Sequence, residues 1–348
     1  MTIDYGKLQD APRLLMEVKL KPLQGHRFQP TGFADLGPAR YTLPDGTEML
    51  LVESVQSVAN RMELACWDQA RDDLIDGLKG LPYIRVMNSG NNSALTNSVL
   101  EAHRINSEYV MKKARRRGAT KSFNEELAGE LRYEKDGRVD WKKFHTGLFK
   151  YDPNSLIHGC FLEEIGGRLR TTRILSGFIE GSGIAPAESG GVKNNIVQPE
   201  LKGGEGNVPF HRTEFVAREL KAYFNLDLAL LRGYGLEDNV TNLLIALSLF
   251  KVRRFLSTGL RLRTACDLEV DGSLAASRPE GFCIPNESEL LSECATLIGA
   301  CKREQLFADP AITEVEWNPA NGGSETNKGE AKQEAGEESA PEEQEENE

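Results

Sequence analysis

Apolar and polar side chains alternate in the segment RLLMEVKLK, which spans residues 13–21. Successive side chains of a strand point to opposite faces of the sheet. The alternation therefore predicts a strand with one apolar face, formed by Leu14, Met16, Val18 and Leu20. The same reasoning predicts strands in LPYIRV at 81–86 and on both sides of the Gly-Gly turn within residues 158–181.

Other segments repeat their apolar side chains at the spacing of a helix. This pattern predicts helices within residues 54–78, 93–121, 211–235 and 238–257. Residues 181–206 contain seven glycines and predict a long, hairpin-like excursion. The order of elements lacks the regular strand–helix repeat of a doubly wound sheet. It predicts an α+β fold with helices on one face of a mostly antiparallel sheet.

The segment GLRLRT, residues 259–264, places arginines on one face of a predicted strand. Leu260 and Leu262 would face the helices, and Arg261 and Arg263 would face a neighbouring chain or a ligand. A near-echo, GGRLRTTR, carries Arg168, Arg170 and Arg173. Arg261 and Arg263 themselves end a basic cluster at 251–263, and one further basic cluster occupies 112–117. Such arginines suit contacts to phosphates through charge and paired hydrogen bonds. The alternative is a set of solvated faces with local ion pairs.

The formal net charge of −11 is unevenly distributed along the chain. Residues 319–348 contain ten Glu and two Lys, and they lack aromatic side chains, Ile, Leu and Val. We expect this acidic tail to be disordered because it cannot bury a core. The other 318 residues carry a net charge of −3. The position of the basic clusters therefore matters more than the overall charge.

Several classes of protein are not indicated by the sequence. It has neither an apolar run long enough to span a bilayer nor a secretory signal, so we expect a cytoplasmic protein. The six cysteines show no metal-ligand spacing and are expected to be buried thiols, and we expect neither a cofactor nor a bound metal. Phosphate-loop, nucleophile-elbow and zinc-protease motifs are absent. We interpret GGEGN at 203–207 as a flexible turn. We interpret Asp267 as a structural hydrogen-bonding residue in preference to a lone catalytic acid.

Long collinear motifs resemble one known family from about residue 10 to residue 300. They include PDGTEMLLVESVQSVANRME, LEAHRINSEY, IGGRLRTTRILSGFIE, GNVPFHRTEF and LLIALSLFKVRRFLSTGLRLRTACDLE. These segments resemble the backbone subunit (Cas-seven type) of the CRISPR type I-U, or I-G, surveillance complex, called Cascade. That subunit belongs to the RAMP superfamily.

The resemblance implies an RRM-like, ferredoxin-like palm with a finger insertion and a thumb hairpin. On this chain it divides the sequence into a first palm part at 10–87, fingers at 88–155, palm strands at 156–180, a Gly-rich thumb at 181–210, palm completion at 211–317 and the acidic tail at 318–348.

The resemblance also implies a non-catalytic subunit that binds CRISPR RNA and oligomerises along it. Such a subunit presents the guide to a target DNA strand, contacts neighbouring copies of itself and other Cascade subunits, and leaves cleavage to a separate nuclease-helicase. The guide contacts that it implies on this chain are Gln56, Ser57, Asn60, Arg61, Arg168, Arg170, Arg173, Lys193, Asn194, His211, Arg212, Arg261 and Arg263.

Two other functions remain open at this point. One is a RAMP-type endoribonuclease that acts on the guide precursor or on target RNA, although no catalytic aspartate can be assigned on this chain. The other is a sugar- or nucleotide-modifying enzyme that uses the Gly-rich loop, against which the missing phosphate motif argues.

Overall fold

The computed structural model describes residues 2–33, 36–194 and 207–318. Its strands are β1 (Arg13–Pro22), β2 (Gly32–Phe33), β3 (Gly37–Pro38), β4 (Arg40–Thr42), β5 (Glu48–Glu53), β6 (Trp67–Asp68), β7 (Asp73–Leu74), β8 (Tyr83–Asn88), β9 (Ala94–Asn97), β10 (Cys160–Leu162), β11 (Leu169–Thr171), β12 (Leu175–Asn194), β13 (Asn207–Asp227), β14 (Arg261–Arg263), β15 (Cys266–Val270), β16 (Ala275–Arg278) and β17 (Ile312–Trp317).

The α-helices are α1 (Val55–Leu64), α2 (Glu108–Met111), α3 (Phe123–Glu130), α4 (Trp141–Tyr151), α5 (Pro153–His158), α6 (Leu228–Gly233), α7 (Asp238–Thr258) and α8 (Glu287–Arg303). Short 3-10 helices cover Tyr5–Leu8, Asp76–Leu78 and Arg104–Asn106. The chain therefore has the mixed α+β character that its sequence predicts.

The main sheet has the strand order β14-β15-β1-β13-β12-β5-β4, with β16 also paired to β1. Along β15, β1, β13, β12 and β5, each strand is antiparallel to its neighbour. The predicted alternation in β1 is confirmed, because Leu14, Met16, Val18 and Leu20 are all buried. Their register partners in β13 continue the same apolar face.

Two helices, α1 and α7, pack on this apolar face of the sheet. Apolar side chains surround most of α7, and the helix lies between the sheet and α8, as expected for a fully buried helix. The N-terminus of α1 is capped by Ser54, whose side chain accepts a hydrogen bond of 3.2 Å from the backbone N–H of Ser57. This cap sets the start of α1 at the end of β5.

The predicted helix at 211–235 is wrong. These residues continue β13 as far as Asp227, and only the six-residue α6 follows. Leu220, Ala222, Phe224 and Leu226 are buried at every second position, which is the period of a strand. Hydrogen bonds to β1 on one edge and β12 on the other hold the extended form, so the tertiary pairing overrides the helical spacing.

Two other predicted helices are much shorter than expected. The helix predicted at 54–78 ends at Leu64. The one predicted at 93–121 is reduced to the single turn of α2, after which Lys113 adopts a left-handed backbone with φ of 63°. A non-glycine residue with positive φ cannot continue a right-handed helix, so the basic run at 112–117 does not form a helix end.

The predicted strand around GLRLRT is confirmed as β14. Leu260 and Leu262 are 5% and 3% exposed, so they face inward as their alternation indicates. Among the described residues, no helix is both long enough and apolar enough to cross a membrane. The six cysteines are free thiols, and those buried are Cys66, Cys266, Cys294 and Cys301.

Candidate nucleic-acid interface

Helix α1 brings together the two arginine-bearing segments that the sequence placed about ninety residues apart. On one side, Arg173 donates hydrogen bonds to the Val55 carbonyl at 3.2 Å and to Gln56 Oε1 at 2.8 Å. Gln56 in turn donates to Asn60 Oδ1 at 2.9 Å, one helical turn further along. Burial lowers the pKa of Arg173, but a guanidinium remains charged at neutral pH.

On the other side, α1 contacts β14 through Arg61. Its guanidinium donates to the Arg261 carbonyl at 3.5 Å and to the Leu262 carbonyl. We call the set formed by α1 and these two flanking segments the arginine strip; its members are Gln56, Asn60, Arg61, Arg170, Arg173, Arg261 and Arg263.

A buried carboxylate that the sequence prediction missed holds the β14 end of the arginine strip. Glu53 is 1% exposed and accepts hydrogen bonds from Ser57, Arg61 and Arg263. Arg263 also donates to the carbonyls of Gln29 and Val52, at 3.0 and 3.2 Å. Three of the predicted guide contacts, Ser57, Arg61 and Arg263, therefore have a structural partner within the chain. The signal for Glu53 was its position as the one acid closing an apolar strand, eight residues before Arg61.

Arg170 and Arg261 differ from the other arginines of the strip. Both are exposed, and within the part of the chain that the structure describes, neither guanidinium has a hydrogen-bond or ion-pair partner. Arg173 is bonded to a carbonyl and an amide, neither of which neutralises its charge. The strip therefore presents positive charge and free donors to the surroundings, which is the chemistry that phosphate contacts use.

Arg168 lies at the turn that precedes β11. Its guanidinium lies over the Tyr133 ring at 5.4 Å and donates to the carbonyls of Glu134 and Gly137, at 3.0 and 3.2 Å. Arg168 therefore fastens the turn to the segment after α3, and carbonyl partners leave its charge in place.

The hairpin of β12 and β13 carries the remaining predicted contacts. His211 is paired with Glu188, and Arg212 is paired with the buried Glu214. Arg27 also approaches Glu214, at 3.4 Å. These side chains bind their own hairpin and the segment beside it. The side chains of the predicted contacts Lys193 and Asn194 lie outside the described part of the structure.

Two other charged surfaces carry internal ion pairs. On the sheet face opposite the helices, Lys19 pairs with Glu219 at 2.9 Å, and Lys221 pairs with Glu17 at 3.5 Å. In the basic run at 112–117, acidic partners bind several members, namely Lys112, Arg116 and Arg117. The arginine strip is consequently the better candidate for an anionic polymer.

A second buried polar network supports α1 from beneath. Arg104 and Glu63 are both buried and form two parallel hydrogen bonds of 2.7 Å. Arg104 also donates to the Gly159 carbonyl at 3.3 Å, which connects α1 to the start of β10. Among the described side chains, no group of three or more His, Cys, Asp or Glu is arranged to hold a metal ion.

These features define a mixed α+β protein with an arginine-rich face beside a long antiparallel hairpin. The family model described as CRISPR-associated protein GSU0053 matches residues 14–186. This match, over just under half of the chain, confirms the resemblance to a CRISPR-associated family that was drawn from its motifs.

The chain also resembles solved structures at low identity. One, from a CRISPR RNA-guided surveillance complex in a pre-nicking state, is 15% identical, with 74% of each chain covered and a TM-score of 0.42. The other, Csc2 from Thermofilum pendens, is 11% identical, with 88% of this chain and 80% of that chain covered and a TM-score of 0.30. These TM-scores are too low to establish a shared fold. No curated protein matches the chain.

Proposed function

We propose that this protein is a CRISPR RNA-binding backbone subunit of a type I-U, or I-G, surveillance complex. The observation that carries the proposal is the arginine strip, in which two separate segments meet at α1 and the Arg170 and Arg261 guanidinium groups lack partners among the described residues. In the cytoplasm, several copies bind along one guide RNA and present its bases to a target DNA strand. Contacts to phosphates position the RNA, and base pairing supplies the sequence recognition.

The strand order supports an RRM-like palm. The strands β15, β1, β13 and β12 are neighbours in that order. Along the chain, α1 lies between β1 and β12, and α7 lies between β13 and β15. This is the arrangement of a split β-α-β unit, in which antiparallel strands alternate with helices on one face. Strands β5 and β4 extend the sheet beyond that unit.

The proposed division into palm, fingers and thumb keeps the boundaries drawn from the sequence. The fingers, at 88–155, comprise β9 and the helices α2, α3 and α4. The boundaries of the thumb at 181 and 210 fall inside β12 and β13. In this proposal the thumb is the outer end of the same hairpin whose inner end belongs to the palm.

Partners follow from the proposed role. Neighbouring copies and other Cascade subunits would complete the complex, and a separate nuclease-helicase would be recruited for cleavage. We propose that this subunit is itself non-catalytic. Incubation of the purified complex with labelled precursor RNA and target RNA tests this point, since specific cleavage that disappears on replacing one Asp or His of this chain would instead assign endoribonuclease activity.

The double variant Arg170→Ala with Arg261→Ala tests the interface. We expect weaker RNA binding and a shallower dependence of affinity on salt. The slope of the logarithm of the binding constant against the logarithm of the salt concentration should fall in magnitude by about 1.4, which is about 0.7 for each phosphate of a single strand that the variant no longer neutralises. The matched control replaces Arg278 and Arg303, which are also exposed, and should keep the wild-type slope. An unchanged slope in the folded Arg170/Arg261 variant would contradict the proposal for this surface.

A further inference from the structure

Phe161 and Arg170 occupy directly opposite positions in the short hairpin of β10 and β11. Opposed residues of an antiparallel pair project to the same face. The adjacent pair, Leu162 and Leu169, is 0% and 1% exposed, and it fixes the inward face of the hairpin. Phe161 and Arg170 therefore share the outward face.

Both side chains are available to a ligand. Phe161 is 42% exposed, and Arg170 is exposed with no partner among the residues that the structure describes. A single exposed aromatic ring is common on protein surfaces. An aromatic face directly opposite a free, planar guanidinium is a more specific combination, because both groups can stack on a flat, electron-rich ring.

We infer that Phe161 and Arg170 form a stacking platform for one unpaired base of the bound RNA. Aromatic side chains and guanidinium planes stack on bases that are not enclosed in a duplex, and each base offers a suitable face whatever its identity. Phe161 supplies the ring, and Arg170 supplies a second stacking plane and a donor to the phosphate beside that base. The inference rests on the proposed function, and it adds a contact to a base where the arginine strip contacts the backbone.

The charges around the β10–β11 hairpin indicate the direction in which the bound RNA strand continues. The exposed acids Glu163 and Glu164 follow Phe161 at the turn, and they disfavour a phosphate on that side. In the opposite direction the chain leads from Arg170 to Arg173, which is bonded to Gln56 at the start of α1. An RNA strand that stacks on Phe161 and Arg170 thus continues toward the rest of the arginine strip at α1.

The test measures the affinity of the full chain for two fluorescein-labelled probes, a short oligoadenylate and an abasic ribose-phosphate chain of equal length. Phe161→Ala should weaken oligoadenylate binding by about 5- to 100-fold and leave the abasic probe unaffected. Phe161→Trp should restore the affinity. Trp141→Ala is the matched control, since Trp141 is 47% exposed on another element, and it should bind both probes as the wild type does.

Arg170 separates charge from stacking in the same assay. Arg170→Ala should weaken binding of both probes, whereas Arg170→Lys, which keeps the charge but removes the plane, should weaken only oligoadenylate binding. Equal loss of affinity for both probes in Phe161→Ala, or no loss for either, would overturn the stacking site while leaving the proposed function intact. Wild-type protein that binds neither probe at low salt would overturn the proposed function and the stacking site together.

Discussion

Glu53 holds the β14 end of the arginine strip through three side chains, and this makes its role structural. Because Glu53 is buried, the two arginines that it binds, Arg61 and Arg263, are positioned by the fold itself. Arg170 and Arg261 have no such partner within the described ranges. A single strip therefore contains residues that build the surface and residues that are free to use it.

Glu53→Gln removes the negative charge that two guanidinium groups share. We expect the free energy of unfolding to fall by about 1–3 kcal/mol, because hydrogen bonds to a charged acceptor are removed and two cations are left close together. Urea unfolding of the RNA-free protein measures this change. Arg170→Ala serves as the contrasting variant and should leave stability within about 0.5 kcal/mol of wild type; similar stability in both variants would refute the distinction.

His145 is one of the buried residues whose titration makes the stability of the protein depend on pH. Burial against aromatic rings, including Tyr234 at 4.0 Å, lowers the pKa of His145 from 6.5 to about 4. Below pH 6.5 the unfolded chain takes up a proton that the folded protein does not, so this residue reduces stability as the pH falls toward 4. Above pH 6.5 its contribution is constant.

The comparison of wild type with His145→Phe measures this contribution. The variant should lose less stability than wild type between pH 6.5 and pH 4, as followed by the thermal midpoint. Wild type must be compared with the variant because Asp152 affects stability in the opposite sense. Burial raises the pKa of Asp152 to about 6, which favours the folded state at lower pH. Parallel curves for the two proteins would show that His145 does not titrate as described.

At the scale of elements, Gly159 joins α5 to the arginine-bearing hairpin. Its φ is 83° and its ψ is 153°, a region that only glycine adopts readily. An added Cβ would also lie 2.9 Å from the backbone nitrogen of Arg173. The orientation of the hairpin relative to α1 therefore depends on this one glycine.

Gly159→Ala should lower the free energy of unfolding by about 1–3 kcal/mol through backbone strain and should displace Arg173 from Gln56. Chemical denaturation measures the first effect, and RNA affinity measures the second. Gly167→Asn is the control, because Gly167 has a φ of 67° with no atom near its Cβ position, and asparagine tolerates such a backbone. Equal stability of the two variants would contradict the assigned strain.

The elements that the sequence predicted correctly are those whose pattern is local. Leu14 to Leu20 alternate strictly, and β1 follows from that alternation alone. The extended form of 211–227 depends on pairing with β12 and, from Leu220 onward, also with β1, which no local pattern reveals. The candidate interface shows the same division. The sequence could indicate that Arg170 and Arg261 suit phosphate contacts, but the pairing of Arg263 with Glu53 depends on the fold, which brings the Arg263 side chain to the end of β5.

At the scale of the whole molecule, the sheet face and the arginine strip differ in whether their charged side chains are paired. The open sheet face pairs its lysines with glutamates, whereas Arg170 and Arg261 of the arginine strip have no partner among the described residues. The expected disorder of the acidic tail at 318–348 concerns residues that, apart from Asn318, lie outside the described part of the chain. A proposed backbone subunit needs one polyanion-binding surface and other surfaces that tolerate protein neighbours, and this distribution supplies both.

The most direct test of the central claim is the identity of the RNA that the protein binds in cells. We expect that the full-length protein, purified from cells that carry a CRISPR array, retains RNA whose sequences consist of a spacer flanked by repeat segments. Extraction and sequencing of that RNA provide the measurement. Recovery of cellular RNA in proportion to its abundance, or of no RNA at all, would contradict the account.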